Sequence, residues 1–123
     1  MTQEQLKYFR EKLLKWRQDL LDEADATIKG LRSESNREVG DEADRATVES
    51  DHAIELRVRD RQRKLLKKID EALDRIEDGT YGFCEETGEP IGLARLEARP
   101  IATMSVEAQE RYEKRERHLA EVR

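Results

Sequence analysis

One cysteine, Cys84, stands in a chain of 123 residues. No internal disulfide can form, which fits a reducing cytoplasm. Aromatic residues make up 5% and hydrophobic residues 36%, against 43% charged, so a single large core is a poor expectation. Six glycines and two prolines leave long stretches without a breaker, which suits extended amphipathic helices with charged outer faces. No apolar run reaches the length of a signal peptide or a membrane span. The chain is therefore expected to be soluble and to stay where it is made. A basic surplus is missing too: with a net charge of −5, bulk nucleic-acid binding is a poor fit and a protein partner a better one. Asp51, His52 and Glu55 have the look of a catalytic group, but they share one helix, and no Gly-rich turn or second cluster accompanies them. No enzyme is expected.

The residues present are periodic. Leu6, Phe9, Leu13, Trp16, Leu20, Ala24, Ile28 and Leu31 recur at steps of three and four, the seam of a two-stranded coiled coil. Only Gly30 interrupts it, near its end. A second series runs through Val48, Ile54, Val58, Leu65, Ile69, Leu73 and Ile76 and stops before "EDGTYG". The stretch between them is polar, contains glycine and lacks an apolar period. Two such helices joined by a short connection fold back antiparallel, because closing a short loop costs little entropy. The expected organisation is a first coiled-coil helix over residues 1–33, a hairpin tip over 34–46 and a second helix over 47–78. A small globular segment over 79–104 and a C-terminal helix over 105–123, capped by Ser105 and striped by Val106, Tyr112, Leu119 and Val122, complete it.

The segment "YGFCEETGEPIGLARLEARPIATMSVEAQ" has the frame of a zinc ribbon, in which two Cys-x-x-Cys knuckles are separated by roughly 15–20 residues. Here the four positions hold Cys84, Thr87, Ser105 and Ala108. A lone thiolate cannot support structural zinc, and His52 and His118 lie outside the frame, so no metal is expected. Packing by Ile91, Leu93, Leu96, Ile101, Met104 and Val106 is expected instead, with Cys84 a quiet buried or half-buried thiol. Gly82, Phe83 and an Arg95–Glu97 pair read as structural.

The run "ELRVRDRQRKLLKKIDEALDRIEDGTYGFCEETGEPIGLARLEARP", and "IGLARLEARP" most specifically, resembles the DksA transcription regulators of bacteria. The resemblance reaches from the first helix to the last. It implies a mostly α fold: a long antiparallel coiled-coil hairpin, a small zinc-ribbon-like domain, here without its metal ligands, and a C-terminal helix. The connection "GDEADRAT" matches that family's tip motif at Asp41, Asp44 and Ala46. Alone, such acids are helix caps and solvating charges. By resemblance they form a tip that enters the secondary channel of RNA polymerase.

Residues 57–68 hold seven Arg or Lys and one acid, whereas residues 34–55 hold eight acids and two bases. A solvated helix face explains several of these cations. The resemblance places Arg61, Leu65, Lys68 and Arg99 at positions that line a pocket for the alarmone ppGpp, a tetraanion suited to charge-assisted donors. Gln109 departs from a lysine often found in the family. The expected function is that of a cytoplasmic, monomeric regulator that binds RNA polymerase and modulates initiation in the stringent response, without sequence-specific DNA binding or membrane contact. A transcript-cleavage factor of the Gre type and a structural coiled-coil adaptor are the alternatives.

Overall fold

The computed structural model describes residues 1–37 and 43–122. Four helices follow one another: α1 (Gln3–Arg37), α2 (Ala43–Asp78), α3 (Leu93–Ala98) and α4 (Val106–Val122). The fold is mostly helical, two long helices followed by a small irregular region and a final helix. Among the described residues, no helix is long and apolar enough to cross a membrane.

Helix α1 opens on a reciprocal cap. The Gln5 amide donates to Thr2 Oγ1 at 3.1 Å while the Thr2 amide donates to Gln5 Oε1 at 3.0 Å, which satisfies donors the first turn leaves over. The helix continues through Gly30 to Arg37, past Ser33, where the apolar period ends. A helix-interior glycine costs about 1 kcal/mol relative to alanine, which a helix of 35 residues sustains. Helix α2 ends at Gly79, whose φ of 83° lets the amides of Thr80 and Tyr81 turn back to the Arg75 carbonyl.

The chain divides into two compact units, one of residues 14–70 and one of residues 1–13 with 71–123. In the first, α1 and α2 run antiparallel: Arg17 meets Asp70 at 3.0 Å, whereas Arg32, later in α1, meets Glu55, earlier in α2, at 3.0 Å. Ala24, Ile28 and Ile69 are buried here, as the seam requires. Val48 and Ile54, at the loose start of the second series, are exposed by 44% and 37%.

The second unit gathers the start of α1, the end of α2 and everything after it. Its core is Phe9, Leu13, Ala72, Tyr81, Ile91, Leu96 and Ala108, with Cys84 among them. Phe9 and Tyr81 pack ring to ring at 5.8 Å between centroids, and the buried Tyr81 hydroxyl donates to the Pro100 carbonyl at 2.8 Å. Of the six residues expected to pack this region, Ile91 and Leu96 are buried and Ile101 and Met104 half-buried, while Leu93 and Val106 are exposed. Helix α4 begins as anticipated, with Ser105 Oγ accepting the Ala108 amide at 3.2 Å. Its stripe is not core: Val106, Tyr112, Leu119 and Val122 are all exposed, and Ala108 is the buried residue of that helix.

Candidate functional site

The basic stretch of α2 sorts itself by pairing. Arg59 reaches Glu55 at 3.3 Å, and Arg63 and Lys64 reach Asp60 at 2.6 and 2.9 Å. These contacts join residues three or four apart on one helix, where side chains are neighbours. Lys64, and then Arg63, hold the Asp60 carboxyl below its usual range against the opposing effect of burial. Burial would raise Glu55, but hydrogen bonds from Arg32 and Arg59 outweigh it and hold that carboxyl low as well. Arg57, Arg61 and Lys68 have no such carboxylate among the described residues, and all three line a groove of about 770 Å³ between α1 and α2. Leu65 lies in the same groove. The structure therefore brings together Arg61, Leu65 and Lys68, three of the four residues the resemblance assigns to an anionic ligand. The fourth, Arg99, is exposed just past α3 in the other compact unit.

The knuckle keeps its frame. The Cys84 amide donates to the Glu89 carbonyl and the Gly88 amide back to the Cys84 carbonyl, both at 2.8 Å, while the Ile91 amide reaches the Gly82 carbonyl at 2.8 Å. Gly82 is needed for its backbone: its φ is 89°, whereas the atom a Cβ would meet at 2.7 Å is Met1 Sδ, the end of a flexible side chain that can yield. The Thr87 hydroxyl first, and then the amides of Ser105, Thr87 and Glu86, favour the ionised form of the Cys84 sulfur. Thr87 contributes most, burial opposes, and the balance pulls the thiol down to about 6. Cys84 is buried, as expected, and its surroundings favour the thiolate over the thiol.

Only one of the four frame positions carries a metal-binding side chain. Thr87 donates to the sulfur, the Ser105 hydroxyl caps α4, and Ala108 is a buried methyl group. Among the described residues, no three His, Cys, Asp or Glu side chains converge. This donor set does not fit zinc.

The expected Arg95–Glu97 pair does not form, since the two residues lie two positions apart on helix α3. Residues so spaced on a helix do not face each other. Glu97 instead accepts from Lys12 Nζ at 2.7 Å and from the Tyr8 hydroxyl at 2.8 Å, and Lys12 also reaches the Glu97 carbonyl oxygen at 2.9 Å. Lys12 foremost, then Tyr8, hold the Glu97 carboxyl below its usual range, while Glu97 pushes the Tyr8 phenol up. The Arg95 Nε is buried without a partner. Phe83, read as structural, is 42% exposed.

Of the tip residues, Ala46 is exposed on the first turns of α2. Asp41 and the side chain of Asp44 lie outside the described residues.

Comparison with known proteins accounts for both halves of the chain. Residues 5–76 match the family described as DnaK suppressor protein DksA, N-terminal domain. The chain belongs to the DksA family. Residues 79–114 match the prokaryotic dksA/traR C4-type zinc finger, although the DksA-family chain described here keeps one of its four cysteines. The RNA polymerase-binding transcription factor DksA of Caulobacter vibrioides is 63% identical over 117 residues, covering 95% of this chain and 82% of that protein. The Escherichia coli factor of the same name is 42% identical over 120 residues, covering 98% and 79%. The structure of transcription factor DksA2 from Pseudomonas aeruginosa superposes with a TM-score of 0.84 at 49% identity, covering 96% of this chain and 90% of that one. These DksA relatives are transcription factors rather than enzymes.

Proposed function

We propose that this DksA-family chain is a cytoplasmic regulator that binds RNA polymerase directly, places the connection between α1 and α2 in the secondary channel and modulates initiation, with ppGpp as its effector. The observation that carries the reading is the 63% identity, across nearly the whole chain, to a factor named for binding RNA polymerase. Two further features support it. Asp41, Asp44 and Ala46 preserve the motif Asp-x-x-Asp-x-Ala, whose role would be positioning near the polymerase active region rather than chemistry. Arg61 and Lys68, without a carboxylate partner among the described residues and beside Leu65, offer charge-assisted donors and an apolar surface to a phosphorylated guanosine, with Arg99 assigned by resemblance as a further donor. Gln109 supplies no charge where relatives often carry lysine, so the ppGpp response should be weaker than in a lysine-bearing relative.

The test is transcription in vitro from a ribosomal RNA promoter by purified polymerase, with the protein, with ppGpp and with both. A change in initiation that depends on the protein and grows with ppGpp is expected. No response to the protein would leave a coiled-coil adaptor, and RNA cleavage in stalled complexes would indicate a Gre-type factor.

A further inference from the structure

Helix α4 carries its buried face further than the core that buries it. Ala108, Tyr112, Arg115, Leu119 and Val122 follow one another at steps of four, three, four and three, so they share one side of the helix. Ala108 is fully buried, and Arg115 holds the same side to Glu86 at 3.0 Å. Beyond Ala108 the apolar residues are uncovered step by step: Tyr112 is 46%, Leu119 54% and Val122 72% exposed. Arg111, Lys114 and His118 are exposed along one flank of this stripe, and none of them meets a carboxylate among the described residues. A second uncovered apolar surface lies in the same compact unit, where a groove of about 690 Å³ runs between the start of α1 and α3. Tyr8 and Leu93 line it with 49% and 47% of their surface exposed, and Ala94 lies between. Its charged lining residues are the acids Glu4 and Glu97; Lys12 engages Glu97, whereas Glu4 meets no cation among the described residues. No residue of α4 lines this groove.

The two surfaces are complementary in shape and sign. An amphipathic helix lays its apolar face into an apolar groove, and a cationic flank meets an acidic rim. Every copy of the chain carries both surfaces, so two copies can each lend α4 to the other's groove and make the same contact twice about a twofold axis. The 17 residues of α4 offer about 25 Å of helix for it. We infer that the chain self-associates as a reciprocal dimer, in which the stripe of Tyr112, Leu119 and Val122 of one copy is seated in the groove of Tyr8 and Leu93 of the other, with Arg111 on the side of Glu4. One short helix per contact places the interface at the small end of the size range, so the association is weak and reversible. The monomer expected from the sequence is then the dilute form. Association of this kind needs no polymerase and stands or falls apart from the proposed function.

Sedimentation equilibrium of the purified full chain, from about 10 μM to about 1 mM, covers the range in which a weak interface populates a dimer. Wild type should show a reversible monomer–dimer equilibrium with no larger species. Leu119→Glu on the stripe and Leu93→Glu in the groove should each weaken it about tenfold or more, because a carboxylate would be buried where an apolar contact was made. Arg111→Glu should weaken it about fivefold, by turning attraction to the acidic rim into repulsion. Leu56→Glu changes a leucine of α2 that is 56% exposed and should leave the equilibrium unaltered. A photo-crosslinking amino acid at Leu119, in a mixture of ordinary and isotope-labelled chains, should join α4 of one copy to residues 2–8 or 93–97 of another. A wild-type chain that stays monomeric to about 1 mM overturns the dimer. So does a dimer that survives Leu119→Glu or Leu93→Glu, one that is lost equally in Leu56→Glu, or a crosslink from α4 to any other segment. The substituted side chains are exposed, so helicity should be unchanged by circular dichroism, and the crosslink gives an independent readout if one of the glutamate variants fails to fold.

Discussion

Replacing Tyr81 by phenylalanine removes one oxygen from the core of the unit formed by residues 1–13 and 71–123 and leaves the ring in place. Tyr81 is 2% exposed, its hydroxyl donates to the Pro100 carbonyl at 2.8 Å, and its ring faces Phe9 at 5.8 Å. The ring contact survives in Tyr81→Phe, so the cost reduces to the lost hydrogen bond and the acceptor it abandons. A buried hydrogen bond contributes about 0.5–1.5 kcal/mol net, and an orphaned buried acceptor raises the total to about 1–3 kcal/mol. The assay is native-state hydrogen exchange at the amides of Cys84 and Ile91, which are held by the Glu89 and Gly82 carbonyls inside the same unit. At about 1.4 kcal/mol per tenfold, exchange there should accelerate roughly 5- to 150-fold. The variant also removes a pH dependence. Burial pushes the Tyr81 phenol up to about 12 from 10.0, so above pH 10 the unfolded chain gives up this proton while the folded chain keeps it. Wild-type stability should therefore fall as pH rises from 10 toward 12 beyond what the exposed tyrosines account for, and Tyr81→Phe should lack that component. Exchange at Cys84 and Ile91 changed less than about twofold would mean that the hydroxyl does not hold Pro100, and the account of this core would be wrong.

Titration of the thiolate absorbance of Cys84 should show a midpoint near 6, and Thr87→Val should move it upward; a wild-type midpoint at or above 9 would contradict the donor geometry at the sulfur. The purified chain should carry no stoichiometric zinc and keep its helicity in a strong chelator, whereas the triple substitution Thr87→Cys, Ser105→Cys, Ala108→Cys should bind one zinc per chain, as elemental analysis would show. Lys68→Ala should reduce the ppGpp response in the transcription assay more than the response without ppGpp, because a charge-assisted donor contributes roughly 1.5–3 kcal/mol where contact is made; equal loss in both would place Lys68 against polymerase instead. Asp44→Asn should keep polymerase affinity and helicity while abolishing regulation, and normal regulation by that variant would refute the tip assignment.

The two long helices were legible because their stability depends on a buried stripe, and a stripe must repeat in sequence. Ala24, Ile28 and Ile69 stand where the period puts them. Ala72 escaped because a methyl group carries little hydrophobic signal, although it is fully buried. Beyond Asp78 the period fails and the reading weakens with it. Leu93 and Val106 are apolar enough for a core, but each lies on a short or half-wetted helix that turns it outward. Tyr81 sits in a Gly-rich turn with no apolar period around it, and it is the largest of the fully buried side chains. Glu97 offered no local clue to its partners, which stand 85 and 89 positions earlier in the chain. At the candidate site the cationic run was plain to read. Which cations are free was not, because Arg59, Arg63 and Lys64 find acids one turn away while Arg57, Arg61 and Lys68 face the groove.

How the knuckle holds its turns without a metal follows from where its contacts go. A zinc ion ties two hairpin turns to each other within one short segment. Here the amides that would surround a bound thiolate still converge on Cys84, so the turn geometry survives, but one sulfur cannot tie the turns together. Within the segment the Glu85 amide reaches the Thr103 carbonyl and the Tyr81 hydroxyl the Pro100 carbonyl, both at 2.8 Å, and further closure comes from outside it: Phe9 covers Tyr81, Lys12 and Tyr8 grip Glu97, and Met1 lies over Gly82. Phe9, Lys12, Tyr8 and Met1 all belong to the first 13 residues of the chain, which form one compact unit with residues 71–123. The metal-free knuckle is therefore not closed by its own contacts alone. Its stability is shared with the start of α1, so a change such as Phe9→Ala in that helix acts on the knuckle directly, in a way that a domain closed by its own zinc would not feel.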